Sequence, residues 1–136
     1  MQVSEVMHKG VSIAQINDTL QHVANIMKNE DIGAMPVYKN ERPVGFVTDR
    51  DIVVSCLAQG KTPDSPVSLA MSQDIILVHE TEDIAVAQKL MREHQISRLL
   101  VVDKGEQPVG MVSLHDLAIN TDNAAQKAQV LNSIKR

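Results

Sequence analysis

Cysteine and aromatic residues are nearly absent from this sequence of 136 residues. Its single cysteine, Cys56, excludes an internal disulfide framework, and the apolar run around it predicts a reduced, buried thiol. The only aromatic residues, Tyr38 and Phe46, are too few to build a stacking platform for bases. These two absences argue against a disulfide-stabilised protein and against a single-strand nucleic-acid binder.

A broad basic surface and a long apolar run are also lacking. The formal net charge is -4, and acidic and basic residues are interspersed, which disfavours binding to a phosphate backbone. No uninterrupted apolar run approaches the length that spans a bilayer, and the first residues lack the pattern of a secretory signal. We therefore expect a cytoplasmic protein that binds neither nucleic acid nor membranes.

The patterns of catalytic and metal sites are missing as well. The 5 histidines are scattered without the spacing of metal ligands, and Cys56 has no partner in the sequence. The sequence contains no Gly-rich phosphate loop and no nucleophile with a base beside it. We therefore predict that the protein is not an enzyme, that it holds no metal and that it requires no cofactor.

What the sequence does contain is an internal repeat. Val3 matches Val67 at a spacing of 64 (67 - 3), and further apolar positions match at the same spacing. One extra residue then shifts the register to 65 (110 - 45), and residues 45–51 match residues 110–116.

The repeat predicts how the chain is divided. We place repeat 1 at residues 1–62, repeat 2 at residues 63–122 and a C-terminal helical tail at residues 123–136. Each copy is short for an independent domain, so we expect the two repeats to form one folded module with a shared core.

Within each copy, the apolar spacing predicts a strand, a helix, two strands and a second helix. The expected starts of the long helices are Asn17 with Asp18 in the first copy and Thr81 in the second. Pro36 cannot donate a ladder hydrogen bond, so we expect its strand to lie at, or begin at, the edge of a sheet.

The second helix of each copy starts with a hydroxyl followed three residues later by a carboxylate. The pairs are Thr48 with Asp51 and Ser113 with Asp116. Such a pair can form a capping box, which stabilises a helix start by about 1 kcal/mol without any ligand. The same carboxylate can accept hydrogen bonds from both hydroxyls of a ribose, and the hydroxyl can contact a phosphate. The sequence leaves both interpretations open.

The two copies closely resemble a tandem pair of cystathionine β-synthase (CBS) domains. The resemblance is carried by residues 35–37 with residues 45–51, and by residues 99–103 with residues 110–116. It implies an α/β (α+β) fold of two β-α-β-β-α repeats related by a pseudo-twofold axis. It also implies clefts between the repeats that commonly bind adenine nucleotides or other adenosyl compounds.

The resemblance also implies the ligand contacts. Asp51 and Asp116 would bind ribose, and Thr48 and Ser113 would contact phosphate, with Arg50 as a further phosphate contact. Arg98 would reach the phosphate of the Asp51 site, whereas the matching Ala34 leaves the Asp116 site without that charge, so we favour the Asp51 site. The adenine would lie against edge strands that include Ile13, Ala34, Met35, Pro36, Leu77 and Leu99.

These implications lead to two functional hypotheses. The first is a regulatory module that binds AMP, ADP or ATP, with S-adenosylmethionine and NAD as further candidates, and signals to a protein partner that the sequence does not identify. The second is a dimerisation or protein-interaction module with vestigial clefts. Members of the family often form homodimers, and we expect a homodimer in either case.

Overall fold

A computed structural model describes residues 1–120 of the protein. The predicted helical tail at residues 123–136 lies outside the described residues. The described chain divides into two compact units: residues 12–75 form the first unit, and residues 1–11 together with residues 76–120 form the second unit. Each unit contains one sheet with helices, so the predicted α/β fold class is confirmed.

The described residues form the following elements. In chain order the strands are β1 (His8–Lys9), β2 (Ala14–Gln15), β3 (Ala34–Lys39), β4 (Arg42–Thr48), β5 (Leu77–His79), β6 (Arg98–Val102) and β7 (Pro108–Ser113). The α-helices are α1 (Leu20–Glu30), α2 (Asp49–Ile52), α3 (Ile84–His94) and α4 (Leu114–Ile119). Two 3₁₀ turns cover Val3–Glu5 and Val67–Leu69, and a π-helix covers Val53–Ala58.

The sheet of the first unit has the strand order β2-β3-β4, parallel between β2 and β3 and antiparallel between β3 and β4. β3 is therefore the central strand, so the prediction that it lies at an edge is wrong, but the alternative that it begins at an edge holds, because its residues up to Pro36 have no partner on β2. The reason is that β2 is short and pairs with β3 only at Val37 and Tyr38. Pro36 lies before this stretch, so its missing amide breaks no hydrogen bond to β2.

The sheet of the second unit has the strand order β1-β7-β6-β5. Its hairpin of β6 and β7 repeats the hairpin of β3 and β4 in the first unit. β6 is an inner strand, so Leu99 does not lie on an edge strand as expected. Leu77 does, because β5 is the last strand of this sheet.

The opening segment of each sequence repeat, residues 1–11 or residues 63–75, packs in the unit that contains the rest of the other repeat, and we call these two segments the lead-ins. Val3 is fully buried in the apolar cluster of the second unit, and Val67 is fully buried in that of the first. The segment at the start of repeat 2 also stabilises the first unit, because the carbonyl of Ser65 accepts a hydrogen bond from the Leu20 amide at the start of α1, at 2.9 Å. The compact units therefore do not follow the division after residue 62, which stays a prediction about the sequence repeats.

The helix α1 is capped by Thr19 rather than by Asn17 or Asp18. The Thr19 hydroxyl accepts a hydrogen bond from the His22 amide at 3.0 Å. Asp18 serves the preceding turn instead, where its carboxylate accepts from the Gln15 amide at 2.8 Å. Capping oxygens at neighbouring positions can thus support different turns.

The helix α3 is capped by Asp83 rather than by Thr81. The Asp83 carboxylate accepts a hydrogen bond from the Ala85 amide at 2.9 Å. This bond, with a smaller contribution from the amino terminus at Met1, lowers the pKa of Asp83 below its ordinary value. Thr81 lies in the turn that the Glu82 amide closes onto the carbonyl of His79.

The helix that Thr48 caps changes type along its length. The α2 segment ends at Ile52, and a π-helix continues from Val53 to Ala58. Cys56 is half-buried against the apolar cluster of the first unit, so it is less buried than predicted. Val53 and Leu57 are exposed on the same segment.

Each unit buries its own cluster of apolar side chains. In the first unit the cluster includes Val23 on α1 and Val37 on β3, and in the second it includes Met91 on α3 and Val101 on β6. The shared core stays a prediction. Among residues 1–120, no helix has the length and apolar character that a bilayer crossing requires.

Candidate functional site

The start of α2 holds the first predicted ribose contact in a complete capping box. The Thr48 hydroxyl accepts a hydrogen bond from the Asp51 amide at 3.1 Å, and Asp51 Oδ2 accepts one from the Thr48 amide at 2.9 Å. Both residues are partly buried. The capping box, which needs no ligand, is therefore present at this helix start. It uses only one of the two carboxylate oxygens of Asp51.

The other oxygen, Asp51 Oδ1, has no hydrogen-bond partner among residues 1–120. No buried side-chain nitrogen or oxygen of this part of the chain lacks a partner. Asp51 Oδ1 is therefore not fully buried and has some contact with solvent. The rigid capping box holds Asp51 in place, so Oδ1 is a positioned acceptor for hydroxyl donors such as those of a ribose.

The start of α4 repeats this capping box in the second unit. The Ser113 hydroxyl accepts from the Asp116 amide at 3.1 Å, and Asp116 Oδ2 accepts from the Ser113 amide at 2.8 Å. The environment differs, because the Asp116 side chain is only 7% exposed and its Oδ1 lies 3.1 Å from His8 Nε2. Both oxygens of Asp116 are thus engaged by the protein itself.

The backbone pairing of β1 with β7 places His8 beside Asp116. His8 is the register partner of Met111, and Lys9 is the partner of Gly110. A Cβ atom on Gly110 would clash with the carbonyl oxygen of His8. Glycine at this position therefore lets the lead-in approach the start of α4 closely.

The first unit has the same backbone arrangement with different side chains. Ser72, which matches His8 at the repeat spacing of 64 (72 - 8), bridges Phe46 through two backbone hydrogen bonds of 2.9 and 2.8 Å. A Cβ atom on Gly45 would lie 2.6 Å from the Ser72 carbonyl oxygen. The Ser72 hydroxyl accepts from the Asp74 amide at 3.2 Å, so it is engaged in its own turn and leaves Asp51 free.

The predicted apolar wall beside Asp51 lies on the inner strand and its approach. Ala34 is the register partner of Thr48, and Met35 and Pro36 follow it on β3, opposite Val47 and Phe46. Ile13 precedes β2 and is partly buried. Three of the predicted wall residues, Ala34, Met35 and Pro36, thus lie on β3, with Ala34 opposite Thr48 and the other two buried, and Ile13 lies just before the neighbouring strand β2.

Of the remaining predicted contacts, Arg50 is exposed on α2 in the first unit, and the others belong to the second unit. Arg98 is the register partner of Ser113, and it is the counterpart of Ala34. Leu77 and Leu99 lie on β5 and β6 of the same sheet. The pairing of Arg98 with Asp51 stays a prediction.

The two helix starts differ in charge, although their hydroxyl-carboxylate pairs match. α2 begins with Asp49, Arg50 and Asp51, two carboxylates against one guanidinium, whereas α4 has Leu114 where α2 has Asp49. Asp49 is exposed, and its amide donates to the Gly33 carbonyl at 2.9 Å. This charge difference could have been found by aligning the two copies, because the capping pairs match while Asp49 and Leu114, the residues after the two hydroxyls, differ.

Two other features of the described residues bear on the site. No group of three or more histidine, cysteine, aspartate or glutamate side chains within residues 1–120 could hold a metal ion. A cavity of about 330 Å³ lies beside residues 79–81 and residues 102–105 in the second unit. None of the predicted ligand contacts lines that cavity.

Comparison with protein families gives two matches to one model. The CBS domain model matches residues 3–57 and residues 67–120. The two matches cover the two sequence repeats, and each includes one of the capping pairs.

Relatives of known sequence match over most of their length. The chain is 36% identical over 132 residues to the CBS domain-containing protein YhcV of Bacillus subtilis, covering 97% of this chain and 94% of that protein. It is 34% identical over 116 residues to hypoxic response protein 1 of Mycobacterium tuberculosis, covering 84% of this chain and 80% of that protein.

Solved structures share the fold. Hypoxic Response Protein I, solved with two coordinated zinc ions, superposes with a TM-score of 0.74 at 31% identity over 89% of this chain and 99% of that one. The CBS domain pair of protein MJ0100, solved with 5'-methylthioadenosine and S-adenosyl-L-methionine, superposes with a TM-score of 0.76 at 27% identity over 88% and 94%. The described residues of the present chain offer no metal cluster to match the zinc.

Proposed function

The chain belongs to the CBS domain family, and from this premise we propose that it is a non-enzymatic regulatory module whose first unit binds an adenosyl ligand at Asp51. The single observation that carries the proposal is the open oxygen Asp51 Oδ1, which the capping box positions without using. A ribose with two adjacent hydroxyls is the matching donor.

The surroundings of Asp51 support this assignment. Thr48 and Ala34 are partners in the β3-β4 register, so the hydroxyl, the carboxylate and the apolar strand lie in one neighbourhood. Ala34 is only partly buried and offers an apolar contact to a purine ring, whereas the side chains of Met35 and Pro36 are buried. A related CBS domain pair binds two adenosyl compounds, which supports the same ligand class for this chain.

The charge at the start of α2 favours a ligand with few phosphates. Asp49 and Asp51 outnumber Arg50, so a phosphate beyond the one that Arg50 and Arg98 are predicted to contact meets net repulsion at this helix start. The residues are at least partly exposed, which screens the effect to a several-fold preference. We therefore rank S-adenosylmethionine and AMP above ADP and ATP.

Regulation requires that the ligand bind two states of the module with different affinity. The exposed apolar side chains Val53, Val54 and Leu57 lie together on the π-helix that continues α2. A ligand that contacts the start of α2 acts on the same helical segment. This segment is our proposed contact with a second copy of the chain or with another protein.

The alternative is a dimerisation module that binds no ligand. The two complete capping boxes favour it, because they explain both hydroxyl-carboxylate pairs as helix caps alone. The two functions differ in one measurable property, which is whether an adenosyl compound binds.

A thermal-shift series tests the proposal. Purified protein is melted with AMP, ADP, ATP, S-adenosylmethionine and NAD, with GMP as the base control. A ligand present at about 100 times its dissociation constant stabilises the protein by roughly 2.7 kcal/mol, which raises Tm by several degrees. A shift confined to adenosyl ligands supports the regulatory module. No shift with any of them, in protein shown to be folded, would leave the dimerisation module as the function.

A further inference from the structure

We infer that His8 masks the second ribose site, so that the two CBS repeats are not equivalent and the Asp51 site is the one that binds first. The inference rests on the proposed function, because it concerns which of the two carboxylates accepts the ligand. It assigns His8 as a residue that determines site occupancy.

Both carboxylate oxygens of Asp116 have partners within the second unit. The capping box uses Asp116 Oδ2, and His8 Nε2 lies 3.1 Å from Oδ1, the oxygen that corresponds to the open one of Asp51. Asp116 is nearly buried, and a buried carboxylate oxygen requires a partner. His8 supplies that partner from within the second unit, and the contact is an ion pair whenever the imidazole is protonated.

The backbone of His8 is held in place, and its side chain faces solvent. Its backbone is held by the pairing of β1 with β7, and Gly110 permits the close approach. Its side chain is 78% exposed and contacts Oδ1 of the nearly buried Asp116, so the imidazole lies on the solvent side of the carboxylate. A ribose that approached Oδ1 would have to displace this imidazole first.

The first unit supplies an internal comparison. Ser72 occupies the backbone position equivalent to His8, with the same bridging hydrogen bonds and a glycine opposite. The Ser72 side chain is short and bonds to the Asp74 amide, and it does not contact Asp51. The difference between histidine and serine at one repeat position therefore accounts for one masked and one open carboxylate.

The expected size of the masking effect follows from competition. A ligand that needs the unmasked state binds with an apparent dissociation constant equal to the intrinsic one divided by the fraction of molecules in which His8 has moved away. Hydrogen bonds to a charged group correspond to roughly a tenfold or larger change in an equilibrium constant. We therefore expect the Asp116 site to bind at least about tenfold more tightly once His8 is removed.

The test exchanges the two residues between repeats. Isothermal titration with S-adenosylmethionine and with AMP is carried out on the wild-type protein, on His8→Ser and on Ser72→His, with His22→Ser as a control for loss of an exposed histidine. The same titration on Asp51→Asn, with and without His8→Ser, isolates the second site. Urea unfolding establishes that each variant is folded.

We expect His8→Ser to add a second site, and His8→Ser in the Asp51→Asn background to bind about tenfold more tightly than Asp51→Asn alone. Ser72→His should weaken the first site. Two equal sites in the wild-type protein, or an unchanged isotherm for His8→Ser, would overturn the masking and leave the proposed function standing. Binding by His8→Ser but not by the wild-type protein would support the masking and refute the role of Asp51. Absence of binding by every variant would overturn both.

Discussion

Substitution of Asp51 separates the two roles of the capping motif. Asp51→Asn keeps an oxygen that can accept from the Thr48 amide, whereas Asp51→Ala removes it. Both substitutions remove the negatively charged acceptor that Oδ1 offers to a ribose. The cap and the ligand contact therefore respond differently to the two variants.

The magnitudes follow from the bonds that each variant loses. Asp51→Ala loses the reciprocal cap of α2 and should lower the free energy of unfolding by about 1 to 2 kcal/mol. Asp51→Asn loses only a carboxylate near a helix start and should cost at most about 1 kcal/mol. Either variant should weaken ligand binding by roughly 1 to 3 kcal/mol, or about 5- to 150-fold in the dissociation constant.

The assay pairs urea unfolding without ligand with isothermal titration of S-adenosylmethionine. Asp83→Asn is the matched control, because Asp83 also caps a helix start and lies outside the predicted binding residues. It should change stability without changing affinity. Unchanged affinity in folded Asp51→Asn would refute the ribose assignment and would leave the carboxylate as a helix cap alone.

Three further predictions concern packing, pH and assembly. Gly45→Ala should destabilise the protein by about 1 to 3 kcal/mol in urea unfolding, because its Cβ would lie 2.6 Å from the Ser72 carbonyl oxygen. Gly105→Ala is the control, because its Cβ would meet nothing nearer than 3.6 Å. An equal loss of stability in the two variants would contradict the packing argument. Because the pKa of Asp83 is lower in the folded protein, its carboxylate stabilises the fold at pH values above the ordinary pKa of 3.8, and this contribution is lost as the pH falls through the folded pKa. The difference in unfolding free energy between wild type and Asp83→Asn should therefore shrink below about pH 4, and a difference that stays constant with pH would exclude the effect. Leu57→Glu should shift the sedimentation coefficient from dimer toward monomer, since Leu57 is 77% exposed on an apolar segment; an unchanged coefficient would move the contact elsewhere.

Local sequence patterns were sufficient to predict the repeats and their capping boxes. The pairs Thr48 with Asp51 and Ser113 with Asp116 are each three residues apart, so helix geometry alone brings the hydroxyl to the amide. The β3-β4 and β6-β7 hairpins also lie where the apolar runs predicted them. These features depend on neighbours in sequence, which pattern and propensity describe well.

Contacts between distant residues could not be predicted in the same way. Val3 and Val67 occupy matched positions, and nothing in their own sequence indicates which sheet each one covers. The contact of His8 with Asp116 joins residues 108 positions apart (116 - 8) and depends on this exchange of lead-ins. Pro36 was misplaced for a related reason, because the length of β2 decides which amides of β3 need a partner.

The decisive measurement is a crystal structure of the protein with S-adenosylmethionine, or with the adenosyl ligand that raises Tm most. We expect ribose hydroxyls within hydrogen-bonding distance of Asp51 Oδ1, the capping box intact, and His8 still in contact with Asp116. Ligand bound at Asp116 with Asp51 unoccupied would contradict it.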